Sequence, residues 1–277
     1  MSRLFDPHIH MDSRNAADYE LMALAGVERM VNPCSFSGER RYDGRAFGER
    51  FDRLLGFERA RARHFGIDLM VGLAVNANDI GDAQGAAGGL REMERRLNDP
   101  ALRPAVAAVG ELALRRFDDT ETGAFRDQLA LAAAFDLPVV VETPPGREAF
   151  AKLAAVVEDA LATGAIRPER LCLVDLDADK LERLHPLGLG GYGIAVSPQV
   201  DGIFAIHRKL DHRAVLDILE RWGAEALQLC SGLHFGFADS LCLPRTALRL
   251  RLAGVPAETL ERLTRRHAEE FFDVRPS

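Results

Sequence analysis

The sequence predicts an α/β chain folded as a single (β/α)8 TIM barrel, and three observations predict it. Short apolar, often β-branched runs alternate with helical or polar stretches along the whole chain; eight such runs can be counted; and ionisable residues recur where the runs stop. Apolar runs without in–out alternation mark a parallel sheet covered on both faces, and eight β–α repeats are what a closed barrel needs. A chain of 277 residues with 47% hydrophobic content suits one such barrel. No break in composition marks a linker, so residues 1–277 are expected to form one domain.

The elements follow in order. The first strand carries Leu4-Phe5-Asp6-Pro7-His8-Ile9-His10-Met11-Asp12, and residues 16–26 read as a helix closed by Gly26. Residues 27–33 form a second strand stopped by Pro33, and residues 34–45 a long polar loop of the kind that usually serves function. Phe47, Phe51, Leu54, Leu55 and Ala62 recur at helical spacing over 47–65, before Gly66. A third strand at 68–75 leads into a glycine-rich passage (76–89) read as loop, then a short helix at 90–97. Strands are expected at 105–111, 138–144, 170–175, 192–198 and 226–231, with helices at 121–135, 147–163, 180–187 and 212–222. Two closing helices fill 245–272, separated near Gly254-Val255-Pro256.

The net charge is −7, with a pI near 5.7 and no long stripe of Lys and Arg. That argues against an extended nucleic-acid surface and for a small-molecule substrate. No run approaches the roughly eighteen apolar residues of a membrane span, and no signal peptide precedes the first strand, so a cytoplasmic protein is expected, with a homo-oligomer as an allowed assembly. Cys34, Cys172, Cys230 and Cys242 lack CxxC spacing and read as reduced thiols; Cys230, at a strand end, reads as a buried inert thiol or, alternatively, a soft metal ligand.

Chemistry collects at the strand ends. Side chains i and i+2 of an extended strand share a face, so His8 and His10 aim two imidazoles at one point, half of a zinc-type site. Glu111, Glu142 and Asp175 each follow an apolar run, at the ends of strands 4, 5 and 6. A carboxylate there is costly unless paired, hydrogen-bonded or metal-bound. Singly, each reads as a helix cap or ion-pair partner; together with the HxH pair they make a metal centre the better reading. Its ligands would be His8, His10, Glu111, Glu142 and Asp175. Arg40, Arg41 and Arg45 either meet an anionic substrate or are simply solvated. His64, His207, His212 and His267 read as surface or packing residues, as do Trp222 and Phe271-Phe272, while Asn32-Pro33 and Ser197-Pro198 shape a pocket rim.

Asp6-Pro7-His8-Ile9-His10-Met11-Asp12, Val109-Gly110-Glu111 and Thr143-Pro144 after a valine-rich strand resemble the TatD-related branch of the amidohydrolase superfamily. More narrowly, the EboC-like subfamily is similar in Gly56-Phe57-Glu58-Arg59-Ala60, in His64-Phe65-Gly66-Ile67 and in the stretch from Gly236 to Pro244. The resemblance spans about residues 4 to 273. It implies a barrel hydrolase with one or two divalent metals held by HxH, a bridging Glu, a His after strand 5, a His after strand 6 and an Asp after strand 8. This chain keeps His8, His10 and Glu111 but has Glu142 and Asp175 where the two later histidines are expected. Cys230-Ser231-Gly232 takes the place of the strand-8 acid.

Such a set is harder and more anionic, favouring Mn, Fe or Mg over Zn while keeping Zn open. The catalytic residues implied are Glu111 and Asp175, with His234, or Asp239, as proton shuttle in place of the missing acid. Hydrolysis of a small ester, amide or phosphoester by metal-activated water is the leading expectation. The alternatives are a carboxylate-rich, iron-type site carrying non-hydrolytic chemistry in a biosynthetic pathway, and a decayed barrel with a binding role.

Overall fold

The computed structural model describes residues 3–36, 38–196, 210–235 and 238–274. Eight parallel strands run in sequence order: β1 Leu4–Asp6, β2 Val27–Pro33, β3 Asp68–Leu73, β4 Val106–Leu112, β5 Val139–Glu142, β6 Leu171–Val174, β7 Gly191–Ala195 and β8 Leu227–Cys230. Every residue of β4 to β8 is buried, which is why these strands read as continuous apolar runs rather than alternating ones. The two ends of the sheet approach each other: Gly232 N–H donates to the His8 carbonyl at 3.0 Å, and His10 N–H to the Leu233 carbonyl at 2.9 Å. The result is the expected (β/α)8 barrel, nearly closed.

Helices α1 (Ala16–Leu24), α2 (Gly44–Asp52), α3 (Arg59–His64), α4 (Ala83–Leu97), α5 (Asp119–Ala134), α6 (Arg147–Ala162), α7 (Ala178–Leu184), α8 (His212–Trp222), α9 (Cys242–Leu252), α10 (Ala257–Glu261) and α11 (His267–Phe271) surround it. Side-chain caps start many of them: Asn15 forms a capping box with Asp18, while Asp43, Asp82, Asp118, Asp177 and Asp211 each accept a first-turn N–H. A π-helical turn, Arg53–Glu58, joins α2 to α3 and buries Glu58 completely against Arg61, whose Nη1 donates to it at 2.7 Å.

One segment departs from the sequence reading. The glycine-rich passage expected as loop begins a helix at Ala83, seven residues before Leu90. Its glycines serve packing: a Cβ on Gly88 would lie 2.6 Å from the Gly44 nitrogen, so only bare backbone lets α4 cross α2 this closely. The crossing is clamped by Arg96, 1% exposed, which donates to Asp52 at 2.9 and 2.7 Å and to the Gly48 carbonyl at 2.8 Å.

The main core lies between barrel and helices, and a second cluster of Phe5, Met70, Val140 and Cys172 is joined by Phe271 and Phe272. All four cysteines are buried and unbridged. No helix among the described residues is long and apolar enough to cross a membrane. Ser197, Pro198 and His207, named from the sequence, lie outside the described residues, as do Gly236 and Phe237.

Candidate metal centre

Strand β1 stops at Asp6 because Pro7 has no N–H to continue the ladder. The chain nonetheless stays threaded between its neighbours: Ile9 N–H donates to the Val31 carbonyl at 3.1 Å, and His10 N–H is held by Leu233. Asp6, fully buried, accepts the Ser231 N–H at 3.0 Å and so ties β1 to the end of β8. The segment after His10 is fixed from β2, where Asn32 Oδ1 accepts the Met11 N–H at 2.6 Å and Asn32 Nδ2 donates to Asp12 at 3.2 Å. Asp12 in turn forms a buried ion pair with Arg50 of α2.

The consequence is convergence. His8 Nε2 lies 2.6 Å and His10 Nε2 3.5 Å from Glu111 Oε2, and the three side chains are almost wholly buried. Glu111 comes from β4, where the preceding Gly110 permits the close approach of β5: a Cβ there would sit 2.9 Å from both Cβ and carbonyl oxygen of Val140. Asn76 Nδ2 donates to the Glu111 carbonyl at 3.3 Å. Burial alone would push the Glu111 carboxyl up, but His10 and the hydrogen bonds from both imidazoles hold it well below the ordinary carboxylate range. It is therefore anionic, as a metal ligand must be.

These three form a group whose ligand atoms all lie within 4.8 Å of one another, and His10 Nδ1 is buried with no hydrogen-bond partner among the described residues. Two imidazoles and one carboxylate are a donor set used for catalytic zinc. The residues present fit a divalent ion.

The other expected ligands lie outside this group. Glu142, at the end of β5, forms an ion pair with Arg115, which supplies the cation that a strand-end carboxylate needs. Asp175 has a left-handed backbone (φ 61°), and its carbonyl accepts from Thr143 Oγ1 at 2.9 Å and Lys180 Nζ at 2.7 Å. With both carboxylates outside, the cluster is less anionic than the five-ligand set expected from sequence.

His234, after β8, does reach the site: its ring is perpendicular to that of His10, with centroids 4.7 Å apart. Burial, with His10 beside it, pushes the His234 imidazole down to about 3, so it is neutral near pH 7. Asp239 is engaged elsewhere, accepting from Arg245 Nη1 at 2.7 Å and from the Leu241 N–H. Arg41 is paired with Asp79 and the exposed Arg45 with Glu49. Arg115 escaped the sequence reading; its one signal was a pair of arginines within five residues of the β4 acid.

No family model matches the chain. In sequence it is similar to an uncharacterized metal-dependent hydrolase of Methanocaldococcus jannaschii, 25% identical over 272 residues, which are 97% of this chain and 99% of that one. In structure it is similar to a TatD-like protein of Archaeoglobus fulgidus (TM-score 0.76, 18% identity, 98% of this chain and 100% of that one). A phosphotriesterase homology protein of Escherichia coli, crystallised with phosphate in its active site, superposes at a TM-score of 0.66 with 13% identity over 98% of this chain and 99% of that one. A lactonase of Listeria monocytogenes superposes at 0.64 with 10% identity over 99% and 96%. At full length, then, the chain is similar in sequence to a metal-dependent hydrolase and shares its fold with TatD-like and phosphotriesterase-like proteins.

Proposed function

We propose that the protein is a metal-dependent hydrolase that holds one divalent ion on His8, His10 and Glu111. The observation that carries this reading is the convergence of both Nε2 atoms on the Glu111 carboxylate in a buried position at the carboxyl ends of the strands, where barrels of this type keep their chemistry. A divalent ion there supplies Lewis acidity and a nucleophile from water near neutral pH, suited to esters, amides and phosphoesters.

The chain's own residues do the rest. His8 and His10 present their Nε2 atoms, Glu111 supplies the charge, and the Asn32, Asp12 and Arg50 contacts hold the His10 segment in place. His234, its ring against that of His10, is the group we assign to donate a hydrogen bond to the reacting oxygen; an imidazole held down at about 3 is too weak a base to take up the proton itself. Asp175 and Glu142 are not needed as ligands in this reading, and a His2Glu set shifts the expected ion from the harder metals toward zinc. The same donors suit non-haem iron, but the relatives speak for hydrolysis. The finer placement beside the EboC-like subfamily rests on sequence resemblance, in the motifs from Gly56 to Ile67 and from Gly236 to Pro244.

The test is hydrolysis of a panel of lactones, aryl esters, amides and phosphoesters by protein loaded with Zn, Mn or anaerobic Fe(II). At least one class should be turned over, with kcat/KM at least about 100-fold lower in Glu111→Gln, because the ligand charge is lost. Equal rates in wild type and Glu111→Gln across the panel would sink the assignment.

A further inference from the structure

We infer that Arg115 is an anion anchor beside this centre, and that the substrate carries an oxyanion, phosphate or carboxylate, next to the bond that is cut. The inference rests on the hydrolase reading and names its substrate class.

The loop after β4 is built to hold one arginine still. The N–H groups of Arg115, Arg116 and Phe117 all donate to a single oxygen, Oε2 of Glu121, at 2.9, 2.8 and 3.0 Å. Glu121 is 1% exposed, and the left-handed Phe117 (φ 58°) bends the chain around it. The Arg115 side chain is then fixed by its ion pair with Glu142, at the end of the adjacent β5. Backbone and side chain are thus both immobilised, four residues beyond Glu111 in the loop that follows the strand bearing it.

An arginine so held is not used up. Its guanidinium has five donors in a planar fork, the Glu142 pair engages Nη2, and the side chain is still 26% exposed. Glu111 and Asp175 add to the negative surroundings that keep it charged. Those same carboxylates would repel an anionic substrate, and Arg115 is a fixed positive charge that offsets them at this strand end. Through its pair with Glu142, Arg115 brings an organic, directional cation to the end of β5. A fork of that kind recognises two oxygens of one group, which a bare charge does not. A salt bridge that merely tied two loops together would make no such recognition.

The test is calorimetric titration of inorganic phosphate and, separately, acetate into wild type, Arg115→Gln, Arg115→Lys and Glu142→Gln. Each protein is used metal-loaded and chelated, with metal content and thermal melting recorded. Arg115→Gln should keep its metal yet weaken binding of the preferred anion by roughly 10-fold or more, with partial recovery in Arg115→Lys, which lacks the fork. Glu142→Gln removes a competing charge and should tighten the same anion several-fold, so it decides the matter if Arg115→Gln proves unstable. Preference for phosphate assigns a phosphoester, and preference for acetate a carboxylate-bearing substrate. Anion affinity unchanged by both substitutions, or no anion binding by wild type, overturns the anchor. Because the chelated arm reads Arg115 without metal, failure there is distinct from failure of the hydrolase reading, which is the absence of bound metal.

Discussion

Replacing His8 and His10 together by Gln leaves a folded barrel that no longer holds a metal ion. Loss of a residue that only orients a ligand costs about 10- to 100-fold in metal affinity, and this variant removes two of three direct donors. Occupancy after purification should therefore fall below about a tenth of an ion per chain, with hydrolysis falling in parallel. Gln rather than Ala is the informative choice. Both imidazoles are buried against Glu111, and an amide can still donate to that carboxylate, so the change reads metal binding rather than collapse. Circular dichroism should show the wild-type content of helix and strand. Full metal occupancy in the double variant would remove strand 1 from the ligand set.

The largest effect on stability is expected at Arg50. Its side chain and that of Asp12 are 7% and 3% exposed, so the pair is buried on both sides. Burial by itself pushes the Asp12 carboxyl up, and Arg50, with His10 and Asn32, more than compensates, leaving it below its ordinary value. Arg50→Met fills similar space but strands a buried carboxylate beside Asn32 and His10, neither of which replaces the guanidinium. Removing one partner of such a pair costs about 3–5 kcal/mol, which for a chain of this size lowers Tm by roughly 6–20 °C. Metal affinity should fall as well, by about 10-fold or more, because Asp12 anchors the segment that follows His10. Differential scanning calorimetry with and without metal separates the two effects, and a Tm within about 2 °C of wild type would show that Asp12 finds another partner.

Strand positions were legible because β4 to β8 are buried on both faces and therefore continuously apolar. The HxH pair was legible because its convergence survives Pro7: the strand ladder stops at Asp6, but the Ile9 N–H on Val31 and the His10 N–H on Leu233 keep both imidazoles turned to Glu111. What escaped the sequence were pairings between distant residues. Glu142 read as a ligand because it ends an apolar strand just before Thr143-Pro144; its partner Arg115 lies 27 residues earlier, in the loop after β4. Asp175 likewise ends an apolar strand, and its position alone does not reveal that its carbonyl is bound by Thr143 and Lys180. The start of α4 was obscured because glycines, read locally as loop formers, were there to let two helices touch.

Elemental analysis combined with anomalous scattering at the metal edge tests most directly whether three side chains hold one ion. Protein purified without chelator, or loaded with Zn, Mn or anaerobic Fe(II), should contain one ion per chain, with a single anomalous peak between His8, His10 and Glu111. A protein that takes up no ion under any of these conditions, or whose anomalous peak falls on Glu142 and Asp175 instead, would contradict the three-ligand centre.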